Sequence, residues 1–156
     1  YVPALALDDG TLITEGPAIV QYIADLVPEK GLAPPNGTLA RTRLQGWLNF
    51  VATELHRNCT PIVSPAFSGH IGETGKQAFR DRLATRFQFL DEHFKANDYL
   101  MGPAFTVADA YAFVITGWAP RVGVDLGKYP NLRAYRERIL ERPAVQAAMR
   151  AEGLMS

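Results

Sequence analysis

The sequence has a single cysteine and no long apolar run. Cys59 has no second cysteine to pair with, so no disulfide can form within these 156 residues. No stretch reaches the roughly 18 consecutive apolar residues that a membrane-spanning helix needs. Both features favour a cytoplasmic protein without a membrane partner.

An excess of charge of either sign is also lacking. The 16 lysine and arginine residues balance 16 aspartate and glutamate residues, and no basic run is present. We therefore predict no nucleic-acid partner. The histidines and Cys59 do not show metal-ligand spacing, and there is no glycine-rich phosphate loop or serine nucleophile motif. These absences predict that the protein has no metal site.

The first residues predict a β-hairpin. Two short apolar runs, 2–7 and 11–13, flank Asp8-Asp9-Gly10, and such a pattern is typical of two strands joined by a tight turn. Pro3 lacks the amide hydrogen that a strand donates to its neighbour, so we expect its strand to lie at an edge there.

A helix, a linker and a helical domain follow. Proline is favoured at the first helical position, so Gly16-Pro17 predicts a helix start. Three apolar side chains at helical spacing are expected to face the core: Ile19, Tyr22 and Ile23. The proline- and glycine-rich stretch 28–38 predicts a linker. We therefore divide the chain into an α/β piece, residues 1–27, that linker, and an all-helical domain, residues 39–156.

Within the helical domain, periodic apolar residues predict the helices. The first runs from Leu39 to about Asn58, and a loop from Thr60 to Gly75 follows it. An apolar stripe marks a second long helix: Phe79, Leu83, Phe87, Leu90 and Phe94. Another stripe marks a later helix: Leu132, Tyr135 and Ile139. Pro143 opens the last helix.

The central helix of this domain follows Thr106-Val-Ala-Asp109, a capping-box pattern. The next residues leave no polar face, so we expect a helix that is buried all round and that Pro120 helps to end. Thr106 and Asp109 are interpreted as a structural cap, and Asp109 is not expected to be catalytic.

Two places favour a functional site. The helix start at Glu15-Gly16 offers unpaired amide hydrogens to a carboxylate or phosphate, although an ordinary helix start has the same pattern. At about 100° per residue, Asn49 and His56 share one side of the first long helix, with Arg57 beside them. Glu54 points away from them, toward a partner subunit or water. A surface or core histidine is the alternative for His56.

Cys59 lies three residues after His56, yet we interpret it as a small buried apolar residue, not as a nucleophile.

Several motifs in this order resemble those of glutathione S-transferases, close to the bacterial beta class. They are Val2-Pro3-Ala4-Leu5, Asp8-Asp9-Gly10, Thr14-Glu15-Gly16, Ala18-Ile19, Gln21-Tyr22-Ile23-Ala24, Trp47-Leu48-Asn49, Ala52-Thr53-Glu54-Leu55-His56, Phe105-Thr106, Ala108-Asp109-Ala110, Arg142-Pro143 and Val145-Gln146. Gly16 stands where serine is common in other classes, and Arg57 stands where lysine is common.

The resemblance implies a truncated thioredoxin-like ββα piece followed by an all-helical domain, in a homodimer that binds glutathione and a hydrophobic electrophile. It implies a cis Val2–Pro3 bond and an auxiliary catalytic role for His56. The glutathione-binding residues that it implies are Tyr1, Val2, Pro3, Glu15, Gly16, Asn49 and Arg57, with Glu54 reaching the glutathione of the partner subunit.

The family's first strand–helix–strand unit, which carries the cysteine, serine or tyrosine that activates the thiol, does not match any part of these residues. By resemblance, we therefore expect this stretch alone to conjugate no glutathione. Two functions stay open. One is an enzyme that adds glutathione to electrophiles in detoxification, with thiol-disulfide chemistry as a possible second activity. The other is a non-catalytic relative that serves as an interaction or regulatory module.

Overall fold

The N-terminal piece forms the predicted hairpin in this computed structural model, which describes residues 2–155. Strands β1 (Ala4–Ala6) and β2 (Leu12–Thr14) pair antiparallel, with Leu5 opposite Ile13. In the turn, the Thr11 amide donates to Asp9 Oδ1 at 2.8 Å. The predicted cis bond between Val2 and Pro3 is confirmed. Tyr1, which the resemblance places beside glutathione, lies outside the described residues.

Helix α1 (Gly16–Asp25) follows, with proline in its first turn as predicted. Its buried residues are Ile19 and Ala24, and the prediction that Ile23 faces the core is wrong, because Ile23 is 44% exposed. Ala24 and Val20 pack against the core of the helical domain. The buried stripe is therefore rotated away from Ile23.

The stretch from residue 28 to residue 38 contains a short 3₁₀ turn, Pro28–Lys30, and leads to Thr38, which caps the next helix. Arg41 holds this stretch in place and is only 3% exposed. Its Nε donates to the carbonyl of Pro34 at 2.7 Å, and its guanidinium forms an ion pair with Asp25 at the end of α1. Val107 N–H donates to the carbonyl of Leu32 at 3.0 Å, so the stretch also packs on the helical domain.

One long helix begins the helical domain. It consists of α2 (Leu39–Phe50), a π-helical segment (Val51–His56) and α3 (Arg57–Val63). The prediction ended this helix near Asn58, but it continues through Pro61 to Val63. Burial of Cys59 and Ile62 against the next long helix outweighs the helix-breaking tendency of proline.

The predicted loop from Thr60 to Gly75 is correspondingly shorter. A short helix, α4 (Pro65–Ser68), lies within it, and the second long helix, α5 (Gly72–His93), already begins at Gly72. The apolar stripe predicted for α5 is confirmed for Leu83, Phe87 and Leu90, which are fully buried.

Helix α6 (Val107–Thr116) is the central helix that the sequence predicted. Most of its residues are buried, but Val114 is 52% exposed. The prediction that this helix is buried on every side is therefore wrong at Val114. The helix ends at Gly117, and Pro120 lies at the start of the short helix α7 (Ala119–Val122). Proline at a first helical turn starts a helix, which is why Pro120 does not act as the terminator.

The last two helices agree with the prediction. Helix α8 (Pro130–Leu140) buries Leu132, Tyr135 and Ile139 completely, and α9 (Pro143–Ala151) begins at Pro143. Asp91 of α5 accepts hydrogen bonds from the amides of Asn131 and Leu132 at 2.7 and 2.9 Å, so it caps α8 from a neighbouring helix.

The predicted capping box at the start of α6 is confirmed. Asp109, which is fully buried, accepts from the Thr106 amide at 2.8 Å and from the Thr106 hydroxyl at 2.9 Å. Its other oxygen accepts from the Leu100 amide at 2.8 Å and from the Tyr135 hydroxyl at 3.2 Å. Burial raises the pKa of Asp109, although these donors act in the opposite direction. Asp109 thus joins α6, α8 and the preceding loop.

In residues 2–155, none of the helices combines the length and the apolar character that crossing a membrane requires.

Candidate active site

The N-terminus of α1 has an unusual backbone. Glu15, the residue before the helix, has φ 69° and ψ 113°, and in residues 2–155 it is the one residue other than glycine with a positive φ. This conformation costs an L-residue on the order of 1–3 kcal/mol, and such residues are concentrated at functional sites. Gly16 lies against Pro3, since a Cβ on Gly16 would be 3.5 Å from Pro3 Cγ. The helix start and the exposed Val2–Pro3 segment are therefore neighbours.

His56, at the end of the π-helical segment, faces α6. Its Nδ1 is 2.8 Å from the hydroxyl of Tyr111. The Trp118 ring packs edge-on against the imidazole, with centroids 5.0 Å apart. Sequence reasoning missed Tyr111. The available signal was a phenolic hydroxyl in an otherwise apolar helix, because a buried tyrosine hydroxyl usually needs a partner.

Burial sets the charge states of this pair. It lowers the pKa of His56, so the imidazole is neutral at pH 7. Burial, followed by the nearby charge of Glu15, raises the pKa of Tyr111, which keeps its hydroxyl proton. When the Tyr111 hydroxyl donates to Nδ1, the neutral imidazole carries its own proton on Nε2. The effect of Glu15 on Tyr111 also shows that the start of α1 and the His56–Tyr111 pair are close enough to interact.

The side chains near Asn49 on the first long helix are arranged differently from the sequence prediction. Asn49 is exposed, and its carbonyl accepts from Thr53 Oγ1 at 3.0 Å. Glu54 Oε2 accepts from Arg86 Nε and Nη2 at 2.9 and 2.7 Å. Arg57, which the prediction separated from Glu54, lines the same cavity as Glu54, and His56 does not. Glu54 and Arg57 are three residues apart, and such residues are neighbours on a helix surface, so one cavity can include both.

Cys59 is fully buried, as predicted, and burial raises the pKa of its thiol to about 11. The thiol therefore stays protonated at neutral pH, and the thiolate is the nucleophilic form.

Among residues 2–155, no three histidine, cysteine, aspartate or glutamate side chains are grouped to hold a metal ion.

The lowered pKa of His56 predicts an acid-sensitive fold. The unfolded chain takes up this proton at about its ordinary pKa of 6.5, above that of the folded state. The contribution of the neutral His56 imidazole to the free energy of unfolding is therefore complete above pH 6.5. It is lost as the pH falls through the pKa that His56 has in the folded state. We expect His56→Gln to reduce the fall in the free energy of unfolding between about pH 7.5 and about pH 5.5, measured by urea denaturation.

The matched control for this experiment is His70→Gln, since His70 is exposed. The His70→Gln variant should show the same pH dependence of the free energy of unfolding as the unmodified protein. A pH dependence that is identical in the unmodified protein and in His56→Gln would contradict the assignment.

Comparison with known proteins gives a consistent result. Residues 39–143 match the family described as glutathione S-transferase, C-terminal domain. Glutathione S-transferase GstA of Escherichia coli O157:H7 is 43% identical over 153 residues, which cover 98% of this chain and 74% of GstA.

Two solved structures of bacterial proteins are similar over almost the whole chain. A ternary complex of BphK, a bacterial glutathione S-transferase, has a TM-score of 0.93 and 48% identity, and the match covers 99% of this chain and 75% of BphK. A sphingomonad glutathione S-transferase complexed with glutathione has a TM-score of 0.91 and 44% identity, with the same coverage, 99% and 75%. This chain therefore belongs to the glutathione S-transferase family, and its close relatives include a bacterial beta-class enzyme.

Proposed function

We propose that this protein binds glutathione where α1 meets the helical domain and adds its thiol to hydrophobic electrophiles. The observation that carries the proposal is the start of α1, where Glu15 keeps a positive φ beside Gly16 and the exposed Val2–Pro3 segment. In the reaction, the thiolate sulfur forms a bond to the electrophilic carbon, and a leaving group departs with its electron pair. The thiol proton goes to solvent.

The start of α1 suits the γ-glutamyl end of glutathione, which carries an ammonium and a carboxylate. Amide hydrogens at a helix N-terminus favour a carboxylate. The Glu15 carboxylate, in turn, suits the ammonium through a charge-assisted hydrogen bond. Val2 is 88% exposed, so its backbone is accessible to the cysteinyl part of the tripeptide. Gly16, without a side chain, lets the ligand approach the helix start closely.

His56 is proposed as an auxiliary catalytic residue. The Tyr111 hydroxyl on Nδ1 and the Trp118 ring together orient the imidazole. This leaves Nε2 as the nitrogen that can contact a ligand, and a neutral imidazole is able to transfer a proton or donate a hydrogen bond.

The remaining predicted residues form part of the same proposal. Asn49 and Arg57 are both exposed, so both are accessible to glutathione, and Arg57 also supplies a positive charge. For Glu54 to reach the glutathione of a partner subunit in a homodimer, its carboxylate would have to share or give up Arg86. The division into residues 1–27, 28–38 and 39–156 and a cytoplasmic location are also proposed.

The test combines binding and turnover. We expect a protein in which these residues are joined to the family's first strand–helix–strand unit to be retained on immobilised glutathione and to conjugate it to 1-chloro-2,4-dinitrobenzene, and we expect these residues alone to conjugate none. His56→Ala should lower the conjugation rate about tenfold or more, because general acid–base groups contribute at least that much. His70→Ala, at an exposed histidine, is the control and should leave the rate unchanged.

Retention on glutathione without any conjugation would favour the non-catalytic interaction module. Equal rates for His56→Ala and the unmodified protein would remove His56 from the site.

A further inference from the structure

A hydrogen-bond network joins α1 to the first turn of the long helix formed by residues 39–63. Arg41 is at its centre and is only 3% exposed. The Arg41 guanidinium forms an ion pair with Asp25, in the last turn of α1, and its Nη1 donates to Gln21 Oε1 at 3.4 Å. Gln45, one turn further along the long helix, donates to the same Gln21 oxygen at 3.3 Å. The long helix therefore holds two consecutive turns of α1.

Gln21 extends this network to the start of α1. Its Nε2 donates to the carbonyl of Pro17 at 2.9 Å, and Pro17 directly follows Glu15-Gly16. The oxygen of the same side-chain amide accepts from Arg41 and Gln45, so both ends of this amide are engaged. A continuous series of hydrogen bonds thus runs from the long helix to the turn of α1 beside which glutathione is proposed to bind.

The two helices that Arg41 joins carry different halves of the proposed site. The long helix carries His56, which lies about 20 Å along the helix axis from Arg41 at 1.5 Å per residue. Helix α1 spans about 15 Å by the same rise, from its start to Asp25. At that start, Glu15 is close enough to the His56–Tyr111 pair to interact with Tyr111. Arg41 and Asp25 therefore close one end of a helix pair whose other end is the proposed active site.

We propose that Arg41 is a positioning residue for the glutathione site, because it fixes the start of α1 relative to His56. The inference rests on the proposed function and adds to it a residue that touches neither glutathione nor the electrophile. Arg41 acts through Asp25 at one end of α1 and through Gln21 on its first turn.

Directional contacts are needed at this place because apolar packing alone fixes orientation poorly. Val20 and Ala24 pack α1 on the core, but the hydrophobic effect has no direction. The ion pair is bidentate, with Arg41 Nη1 on Oδ2 of Asp25 and Nη2 on Oδ1, and such a pair fixes an angle as well as a distance. A displacement of about 1 Å in a catalytic geometry can cost about 100-fold in rate.

The test measures glutathione affinity by calorimetry and turnover with 1-chloro-2,4-dinitrobenzene, in the protein that joins these residues to the family's first strand–helix–strand unit. Arg41→Gln should weaken glutathione binding and lower kcat, each about tenfold, and leave the KM for the electrophile unchanged. Arg41→Lys should keep the charge but lose the forked geometry, and should therefore give an intermediate loss. Gln21→Leu, at a half-buried position, should weaken glutathione binding about threefold, as loss of a hydrogen bond does.

Two controls separate positioning from stability. Arg43→Gln removes an exposed arginine of the same helix and should leave binding and turnover unchanged. Asp91→Ala removes the cap of α8, since the hydrogen bonds that Asp91 accepts come from Asn131 and Leu132. It should lower the free energy of unfolding and leave the glutathione affinity unchanged. If Arg41→Gln does not fold, the comparison of Gln21→Leu with Asp91→Ala decides the question.

A double-mutant cycle tests whether Arg41 and Gln21 act in series. The variant with both Arg41→Gln and Gln21→Leu should bind glutathione about as weakly as Arg41→Gln alone, because the second substitution breaks a connection that is already lost. Normal glutathione affinity in Arg41→Gln, an equal loss in Asp91→Ala, or losses that multiply in the double variant would overturn the inference. If the unmodified protein binds no glutathione, the proposed function is wrong and the inference falls with it.

Discussion

Asp109→Ala is expected to lower the free energy of unfolding by about 3–5 kcal/mol, since it leaves several buried donors without an acceptor. In the structure, four hydrogen bonds end on this fully buried carboxylate, from the amides of Leu100 and Thr106 and the hydroxyls of Thr106 and Tyr135. Each unsatisfied buried donor costs about 1–3 kcal/mol. Chemical denaturation monitored by circular dichroism measures the change.

Thr106→Ala tests the cap alone and should cost about 1–2 kcal/mol, as loss of a helix N-cap does. Asp109→Asn should restore only part of the stability, because its amide group places a donor where the site needs an acceptor. Asp8→Ala, at an exposed position in the hairpin turn, is the control. An Asp109→Ala variant as stable as Asp8→Ala would show that these hydrogen bonds do not stabilise the fold.

Glu15→Ala is expected to weaken glutathione binding about 10- to 100-fold, the range for losing a hydrogen bond between charged groups. The expectation follows from the position of Glu15 at the start of α1, beside Gly16 and near the His56–Tyr111 pair. Isothermal titration calorimetry with glutathione measures the change. Glu29→Ala, at an exposed glutamate of the 3₁₀ turn, is the matched control and should bind normally.

Glu15→Gly separates binding from backbone strain. It should lose affinity as the alanine variant does. However, it should be more stable than Glu15→Ala by about 1 kcal/mol, because glycine adopts a positive φ without the steric cost of a Cβ. Equal stability of the two variants would show that the φ of 69° at Glu15 is not strained. Normal glutathione affinity in both would remove Glu15 from the binding site.

Features that depend on neighbouring residues could be predicted from the sequence. The hairpin around Asp8-Asp9-Gly10 and the helix starts at Pro17 and Pro143 depend on backbone preferences that act within a few residues. The Thr106–Asp109 capping box and the apolar stripe of α5 also follow from spacing along one helix. The family could be recognised for a related reason, since several such motifs occur in a single order.

The errors arose where packing between segments outweighs local preference. Pro61 is a helix breaker by local chemistry, yet burial of Cys59 and Ile62 keeps the helix intact to Val63. Ile23 has the spacing of a core residue, but α1 turns Val20 and Ala24 toward the helical domain. A periodic pattern shows which residues share a face, but it does not show which neighbour that face will meet.

For the candidate site, the sequence by itself determined the chemical groups: the helix start at Glu15-Gly16, the histidine at position 56 and the charged residues close to it. Only the tertiary structure decided how these groups are combined. It paired His56 with Tyr111, 55 residues later, and Glu54 with Arg86, 32 residues later. It also placed Glu54 and Arg57 along the same cavity. Contacts between residues far apart in the chain depend on how whole helices pack, and no local spacing encodes that.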